Sequence, residues 1–346
     1  MNARHAVLCA LFLFRAPAIA RAACADRVKH SAADLTSCVR LEALWQHLET
    51  FQAIADANPD RKGHGNRNTG TRGYEASVDY VARTMRNAGY RVTIEPYDLQ
   101  GITDYNVIAD SPYGDPNRVV VVDAHLDSIF GAGILDNATG SATILEIARQ
   151  LAITPTANHL RFIWFGGEEL GLWGSHHYTQ ALTKAERDRI VFDIDADVTA
   201  TPNYSILVAD PRYAHNADRF PPDVIPRSRI GNAAFAAYFR ENGIPSRAAP
   251  FGNSGTDSNS FSLIGVPNSG ILTGQDCCRQ HWEVKLWGGY PGDYEGQVPG
   301  YSGGCVDRPH LWCDDITNTN PEIFVPVSRA VAYVTYTLAN DPSLRR

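Results

Sequence analysis

The chain has 346 residues, enough for one large core or two modest ones, and its 44% hydrophobic and 20% charged content is that of a globular protein. A formal net charge of −7 argues against nucleic acid or an anionic membrane as the main partner, since both need clustered Lys and Arg. No apolar run reaches the roughly 18 residues of a membrane span, so none is expected.

Arg4 and His5 precede an apolar stretch, Ala6 to Phe14, followed by small residues and an A-x-A signal at Ala20-Arg21-Ala22. This is the pattern of a secretory signal peptide over residues 1–22. Pro17 speaks against a buried N-terminal helix. Cys24 raises a lipoprotein reading, ranked second because Arg21 stands where a lipid-attachment signal wants an apolar residue. Without Cys9, the cysteines left are Cys24, Cys38, Cys277, Cys278, Cys305 and Cys313; an even number in an exported chain suggests disulfides. None has the C-x2-C spacing of a structural zinc site.

Val39 to Ala57 is helical, with Leu41, Leu44, Leu48 and Phe51 on one face, and Tyr74 to Ala88 repeats the pattern through Val78, Val81 and Met85 before Gly89 stops it. Arg91 to Glu95 reads as a strand. Val119 to Val122 is a continuous apolar run, as expected of a strand buried on both faces. A helix follows over Ser141–Leu151, then buried strands at Leu160–Phe165 and Val191–Ile194. Asn232–Asn242 is a helix, Ser269–Leu272 a short strand, and about Glu322–Leu338 a last helix with Ile323, Val327, Val331 and Val334 inward. Alternating strands and helices predict an α/β fold: a mostly parallel central sheet with helices on both faces. No repeat or linker divides residues 23–346, which read as one domain. The Gly-rich stretch Gly288–Gly304 is a long loop, and loops of that length are usually functional.

Chemistry-bearing residues sit where the buried strands end, which is where open α/β sheets bind ligands. The Val119 strand ends in His125-Leu126-Asp127; residues two apart point the same way, so Asp127 is placed to hold the far nitrogen of a metal-bound His125. Asp136 lies in a turn leading to a helix, where alone it would be read as a cap. Glu168 and Glu169 are adjacent carboxylates at the next strand's end, costly there unless a cation neutralises them. A third strand carries Asp193, Asp195 and Asp197, and His310 comes late, before Cys313-Asp314-Asp315. Together these offer the nitrogen and oxygen donors that a pair of zinc ions prefers.

The stretches GTRGYEASVDYVA, NVIAD, VVVVDAHLDS, GILDNATGSATILEIARQLA, LRFIWFGGEELGLWGSHHY, DADVTATPN, SGTDSNSF, GVPNSGILTG, LWGG and HLWCDDITN, in this order, resemble the M28 family of zinc aminopeptidases, over about Gly70 to Asn320. The resemblance implies a zinc aminopeptidase fold of the three-layer phosphorylase-hydrolase type, two Zn2+ per chain, and removal of N-terminal residues from peptides with free N-termini by a zinc-activated hydroxide. It assigns His125 and Asp197 to one zinc, Glu169 and His310 to the other, Asp136 to both, and Glu168 as general base. Asp-x4-Pro-Asn spacing favours Asp197 over Asp193 and Asp195. Asp127 would orient His125, and Asp257 matches an aspartate near the family's active site.

The resemblance also implies a disulfide between Cys305 and Cys313 flanking His310, and a cis peptide bond after Asp136. Cys24–Cys38 follows as the local pairing, while Cys277 and Cys278 could bond to each other. One departure stands out: the family tyrosine directly before the last histidine ligand is here Pro309, with Tyr301 on the same loop a possible substitute. His281 reads as a surface or loop-packing residue, and His176 and His177 as residues of the turn after the Glu-Glu loop. Trp173, Trp287 and Trp312 read equally well as core or as a specificity pocket. Competing readings are glutaminyl cyclase or carboxypeptidase activity on the same fold, or a binding domain without catalysis; retention of every ligand and of Glu168 favours the peptidase.

Overall fold

A computed structural model describes residues 24–249, 255–275, 277–295 and 312–344. Eight strands among these form one sheet: β1 (Arg91–Leu99), β2 (Ile102–Asp110), β3 (Asp115–His125), β4 (Asn158–Phe165), β5 (Ile190–Ala196), β6 (Leu207–Ala209), β7 (Arg247–Ala249) and β8 (Asn268–Leu272). Their order across the sheet is β1-β2-β4-β3-β5-β8-β6-β7. The central run β4-β3-β5-β8 is parallel. On one side β1 and β2 form a hairpin laid antiparallel on β4; on the other, β6 is antiparallel to β8 and carries β7 parallel to itself. The expected mostly parallel α/β architecture is present. A short pair, β9 (Cys277–Arg279) and β10 (Gly292–Asp293), lies outside the sheet.

The helices are α1 (Ala32–Cys38), α2 (Leu41–Ala57), α3 (Arg72–Asn87), α4 (Thr139–Leu151), α5 (Trp173–Ala181), α6 (Lys184–Arg189), α7 (Val224–Glu241), α8 (Ser258–Leu263), α9 (His281–Trp287) and α10 (Pro321–Ala339). Helices α3, α4, α7 and α10 cover one face of the sheet, with α1 and α2 packed outside them; α5, α6 and α8 cover the other. The valine run of β3 serves both layers. Val120 and Val122 join Met85, Leu145 and Val331 in the larger core, while Val119 and Val121 meet Ile163, Tyr178 and Phe261 on the opposite side.

Local signals set the boundaries. Thr71 caps α3 by accepting the Tyr74 N–H, and Gly89, at φ +93°, ends the turn beyond it. Helix α7 begins eight residues before the expected Asn232; Pro226 is tolerated because it sits in the first turn, where no helical hydrogen bond is lost. Strand β2 carried no clear alternation because Asp104 and Asn106 are buried in it. Asn106 repays this by accepting the Gly166 N–H at 3.2 Å and donating to the Gly174 carbonyl at 3.0 Å, which fixes the loop after β4.

The expected disulfide Cys24–Cys38 is formed and ties the N-terminal segment to α1. Cys278 and Cys313 each take part in a disulfide as well; the expected Cys305–Cys313 pair involves Cys305, which lies outside the described residues, as do residues 1–22 of the expected signal peptide. Among the described residues, no helix is long and apolar enough to cross a membrane.

Candidate metal centre

The carboxyl ends of β3, β4 and β5 converge on one point. His125 ends β3, with its Nε2 at 2.9 Å from Asp136 Oδ1, 3.4 Å from Asp197 Oδ1 and 3.9 Å from Glu168 Oε2. Donor atoms of His125, Asp136 and Asp197 all lie within 4.8 Å of one another. All three side chains are buried. Asp197 directly follows β5 and is pinned by its own N–H to the Ile271 carbonyl on β8, at 3.1 Å.

Asp136 is held with care. It lies in a single irregular turn, Ile134–Ala138, ahead of α4, and the Asp136–Asn137 peptide bond is cis, as the resemblance implied. The buried Asp314 carboxylate accepts the N–H groups of Leu135 at 2.6 Å and of Asp136 at 3.1 Å. Asn137 joins the turn to the end of β5: its Nδ2 donates to the Ala196 carbonyl, and its Oδ1 accepts from Gly140 and Val198. Gly140 permits this approach, since a Cβ there would stand 2.0 Å from the Ala196 oxygen. Arg67 supports the same turn from below. Fully buried, it donates to the carbonyls of Leu126, Ala132 and Gly133 at 2.6–2.8 Å. Burial lowers its pKa to about 10, so the guanidinium stays charged at neutral pH.

Asp127 does more than expected of it. The His125 Nδ1 meets the Asp127 backbone carbonyl at 3.2 Å, with the carboxylate further away at 3.6 Å. The carboxylate itself accepts from the Thr69 hydroxyl at 2.9 Å and from the backbone N–H groups of Glu168 and Glu169 at 3.2 and 3.4 Å. It therefore orders the Glu-Glu loop as well as the histidine.

The charges explain what the cluster lacks. Burial, then the neighbouring Asp136 and Glu168 carboxylates, push Glu169 well above the usual carboxylate range. Glu168 is raised mainly by burial, partly offset by His125. Burial opposes protonation of His125, but the surrounding carboxylates, Glu168 foremost, outweigh it and raise the imidazole well above its ordinary value. Glu169 Oε1 is buried with no hydrogen-bond donor. The carboxylates of Asp136, Glu168, Glu169 and Asp197 crowd one imidazole, and Asp197 Oδ1, like Glu169 Oε1, is buried without a hydrogen-bond donor; divalent cations would neutralise such a donor set, so the residues fit zinc.

Asp195 is committed elsewhere: it accepts from the Thr256 hydroxyl at 2.6 Å and from the Ser258 N–H at 3.3 Å, and burial together with the Asp197 carboxylate pushes it to about 7. Asp193 is buried and is not among the converging donors. Asp257 is buried at the start of α8, where burial raises its carboxyl well above the usual range. His310, Pro309 and Tyr301 lie outside the described residues. The supports Arg67, Asn137 and Asp314 went unforeseen, as did Gln275, whose Nε2 donates to Asp136 Oδ2 at 2.9 Å.

A family model for peptidase family M28 matches residues 106–335, well over half of the chain, from β2 into α10. The chain belongs to peptidase family M28. Within the wider set of relatives, leupeptin-inactivating enzyme 1 of Streptomyces exfoliatus is 35% identical over 299 residues, 84% of this chain and 60% of that protein. An aminopeptidase of Pseudomonas aeruginosa (strain UCBPP-PA14) is 33% identical over 285 residues, 80% of this chain and 50% of that protein. The M28 chain thus spans between half and three fifths of the length of these two curated relatives. Among solved structures, BSAP, a zinc aminopeptidase from Bacillus subtilis, superposes with a TM-score of 0.65 at 16% identity, covering 88% of this chain and 96% of that one. An aminopeptidase from Aneurinibacillus sp. strain AM-1 gives 0.66 at 16% identity, covering 91% and 97%. At such identities these two likenesses establish the M28 fold.

Proposed function

We propose that this chain is an exported, two-zinc aminopeptidase that releases single residues from the N-termini of peptides. The observation that carries the reading is the convergence of His125, Asp136 and Asp197 within 4.8 Å, with Glu168 at its edge. His125 and Asp197 would hold one zinc, Glu169 and His310 the other, and Asp136 both. Bound there, the two ions would acidify a water and polarise the scissile carbonyl.

The chain's own residues supply the rest. Glu168 takes a proton from the attacking water and returns it to the leaving amine, the nitrogen that becomes the new N-terminus of the shortened peptide, so that one carboxylate acts first as base and then as acid. Burial raises Glu168, and cations beside it would favour the ionised form that a base requires. Asp127 keeps Glu168 in register with His125 through the backbone. The surplus carboxylates provide counter-charge for the α-ammonium of a free N-terminus, which a blocked peptide lacks. Residues 1–22 direct export, and residues 23–346 form the peptidase domain.

The test joins metal content to substrate range. The purified chain should carry two zinc ions, hydrolyse aminoacyl chromogenic substrates, and leave N-terminally blocked peptides intact. A single ion with cyclisation of N-terminal glutamine would point to the cyclase reaction, release of C-terminal residues to a carboxypeptidase, and loss of both metal and turnover to a binding domain. N-terminal sequencing of exported protein should begin at Ala23.

A further inference from the structure

Once its first residue is held at the centre, a peptide substrate must rest the remainder of its chain on the surface around it. An aromatic cluster there takes no part in the chemistry above. The Trp312 indole lies flat on the His64 ring, with centroids 4.1 Å apart and planes 3° from parallel. Phe130 meets the same indole edge-on, at 6.4 Å and 86°. The three rings are half-buried and belong to neither core. The exposed Lys62, its Nζ 5.8 Å from the indole centre, marks the side of the cluster that meets solvent.

The cluster is tied to the centre from two sides. Phe130 comes three residues after Asp127, and three residues span at most about 11 Å of extended chain. Trp312 comes two residues before Asp314, at most about 7 Å of chain, and the Asp314 carboxylate accepts the Asp136 N–H. His64 enters on a segment that runs beside the first of these: Asn68 Nδ2 donates to the Ile129 carbonyl, and the Thr69 hydroxyl donates to Asp127 at 2.9 Å. Trp312 is also held in a strained backbone, at φ +50°, a left-handed conformation that bulky side chains rarely adopt. Residues kept in such conformations gather at binding and active sites, and core packing does not account for this one, because its ring lies outside both cores.

We propose that Trp312, with His64 and Phe130, forms a shelf for the side chain of the second substrate residue, the one just past the scissile bond, and so selects peptides with an aromatic or large apolar residue at that position. The role rests on the aminopeptidase reading above. An extended peptide advances about 3.4 Å per residue, so a long side chain on that residue spans the gap between the centre and the shelf. A ring laid on the shelf gains by removing apolar area from water and by the offset or edge-on geometry that aromatic pairs prefer. Glycine at the same position offers neither.

The experiment follows leucine release from the tripeptides Leu-Phe-Ala and Leu-Gly-Ala by wild type, Trp312→Gly and His64→Ala, with metal content measured on each. Glycine suits the positive φ at position 312, so Trp312→Gly removes the ring without adding strain. Wild type should show the higher kcat/KM for Leu-Phe-Ala. Trp312→Gly should lower the ratio of the two kcat/KM values by about 3–10-fold, the usual worth of an aromatic pair. Where Trp312→Gly does not fold, the same ratio in His64→Ala decides. An unmoved ratio, whatever happens to the absolute rates or the metal content, would overturn the shelf and leave Trp312 as a prop for Asp314. So would a wild type that releases leucine from both peptides equally well. A wild type with neither metal nor leucine release from either peptide would overturn the aminopeptidase reading itself, and the shelf with it.

Discussion

Asp127 accepts the backbone N–H of Glu168 at 3.2 Å on the carboxylate oxygen that also lies 3.6 Å from the His125 ring. The end of β3 and the loop after β4 are thereby joined through one side chain, and the distance between the histidine and the proposed base is set by the fold. A change at the Glu168 side chain leaves this link intact, because the link is to the backbone.

Glu168→Gln should therefore keep the fold and the metal content but lose turnover by about 10²–10⁴-fold, the usual worth of a general-base step. The amide is nearly isosteric but cannot take the water proton at neutral pH. Metal analysis by mass spectrometry beside turnover of a leucyl substrate checks this; near-normal turnover with full metal would move the base role to another carboxylate.

Asp136→Asn should behave differently. It weakens a ligand proposed to serve both ions, so metal content and activity should fall together and added zinc should restore part of each. Glu169→Gln should lower occupancy of one ion and spare the other. Zinc titration of the chelated proteins separates the three variants, and equal occupancy in all of them would contradict the ligand assignment.

Arg67→Met should destabilise the chain without touching a proposed ligand. It strips donors from the Leu126, Ala132 and Gly133 carbonyls, of which Gly133 keeps the Ala138 N–H at 3.1 Å, and each buried acceptor left unpaired costs about 1–3 kcal/mol before relaxation. A loss of about 3 kcal/mol or more in urea unfolding is expected, against a change within about 0.5 kcal/mol for the exposed Arg72→Met. Equal midpoints for the two variants would show that the turn does not depend on the guanidinium.

Asp110 sets an acid limit on stability away from the metal centre. Burial would raise its pKa, but the His159 hydrogen bond and the Arg161 guanidinium, both at 2.8 Å, outweigh burial and hold the carboxyl well below the usual range. A depressed folded value means that the stabilisation is complete above the unfolded carboxylate pKa of about 3.9 and is lost as pH falls through the folded value. In chelated protein, the gap in unfolding free energy between wild type and Asp110→Asn should be full at pH 6 and should narrow as pH falls below about 4. A gap independent of pH would show that the carboxylate is not held in its charged form.

The centre was legible where composition and periodicity coincide. The valine run of β3 announces a strand buried on both faces, and the polar residues that break such runs, His125, Glu168 and Asp197, stand out against it. What was illegible depends on contacts distant in sequence. Asp314 is one of two adjacent aspartates, and only its contact with the Leu135 and Asp136 amides distinguishes it from the more exposed Asp315. Arg67 sits in a polar segment that reads as a solvated loop, yet its side chain is fully buried. Strand β2 hid because its inward Asn106 bonds the loop after β4 instead of packing as an apolar residue would. Helices α8 and α9 are too short for a helical period to emerge.

The Arg67 seat has a consequence for how the chain is cut. The family model covers residues 106–335, yet Arg67, with the carbonyls it holds, joins the segment before α3 to the turn that carries Asp136. A chain trimmed to the match would lose α1, α2, α3 and β1, exposing Leu48, Phe51, Val81 and Met85's partners in the larger core and the free edge of β2. The border of the family model is thus not a border of folding: the segment that precedes it is a wall against which the matched part is built.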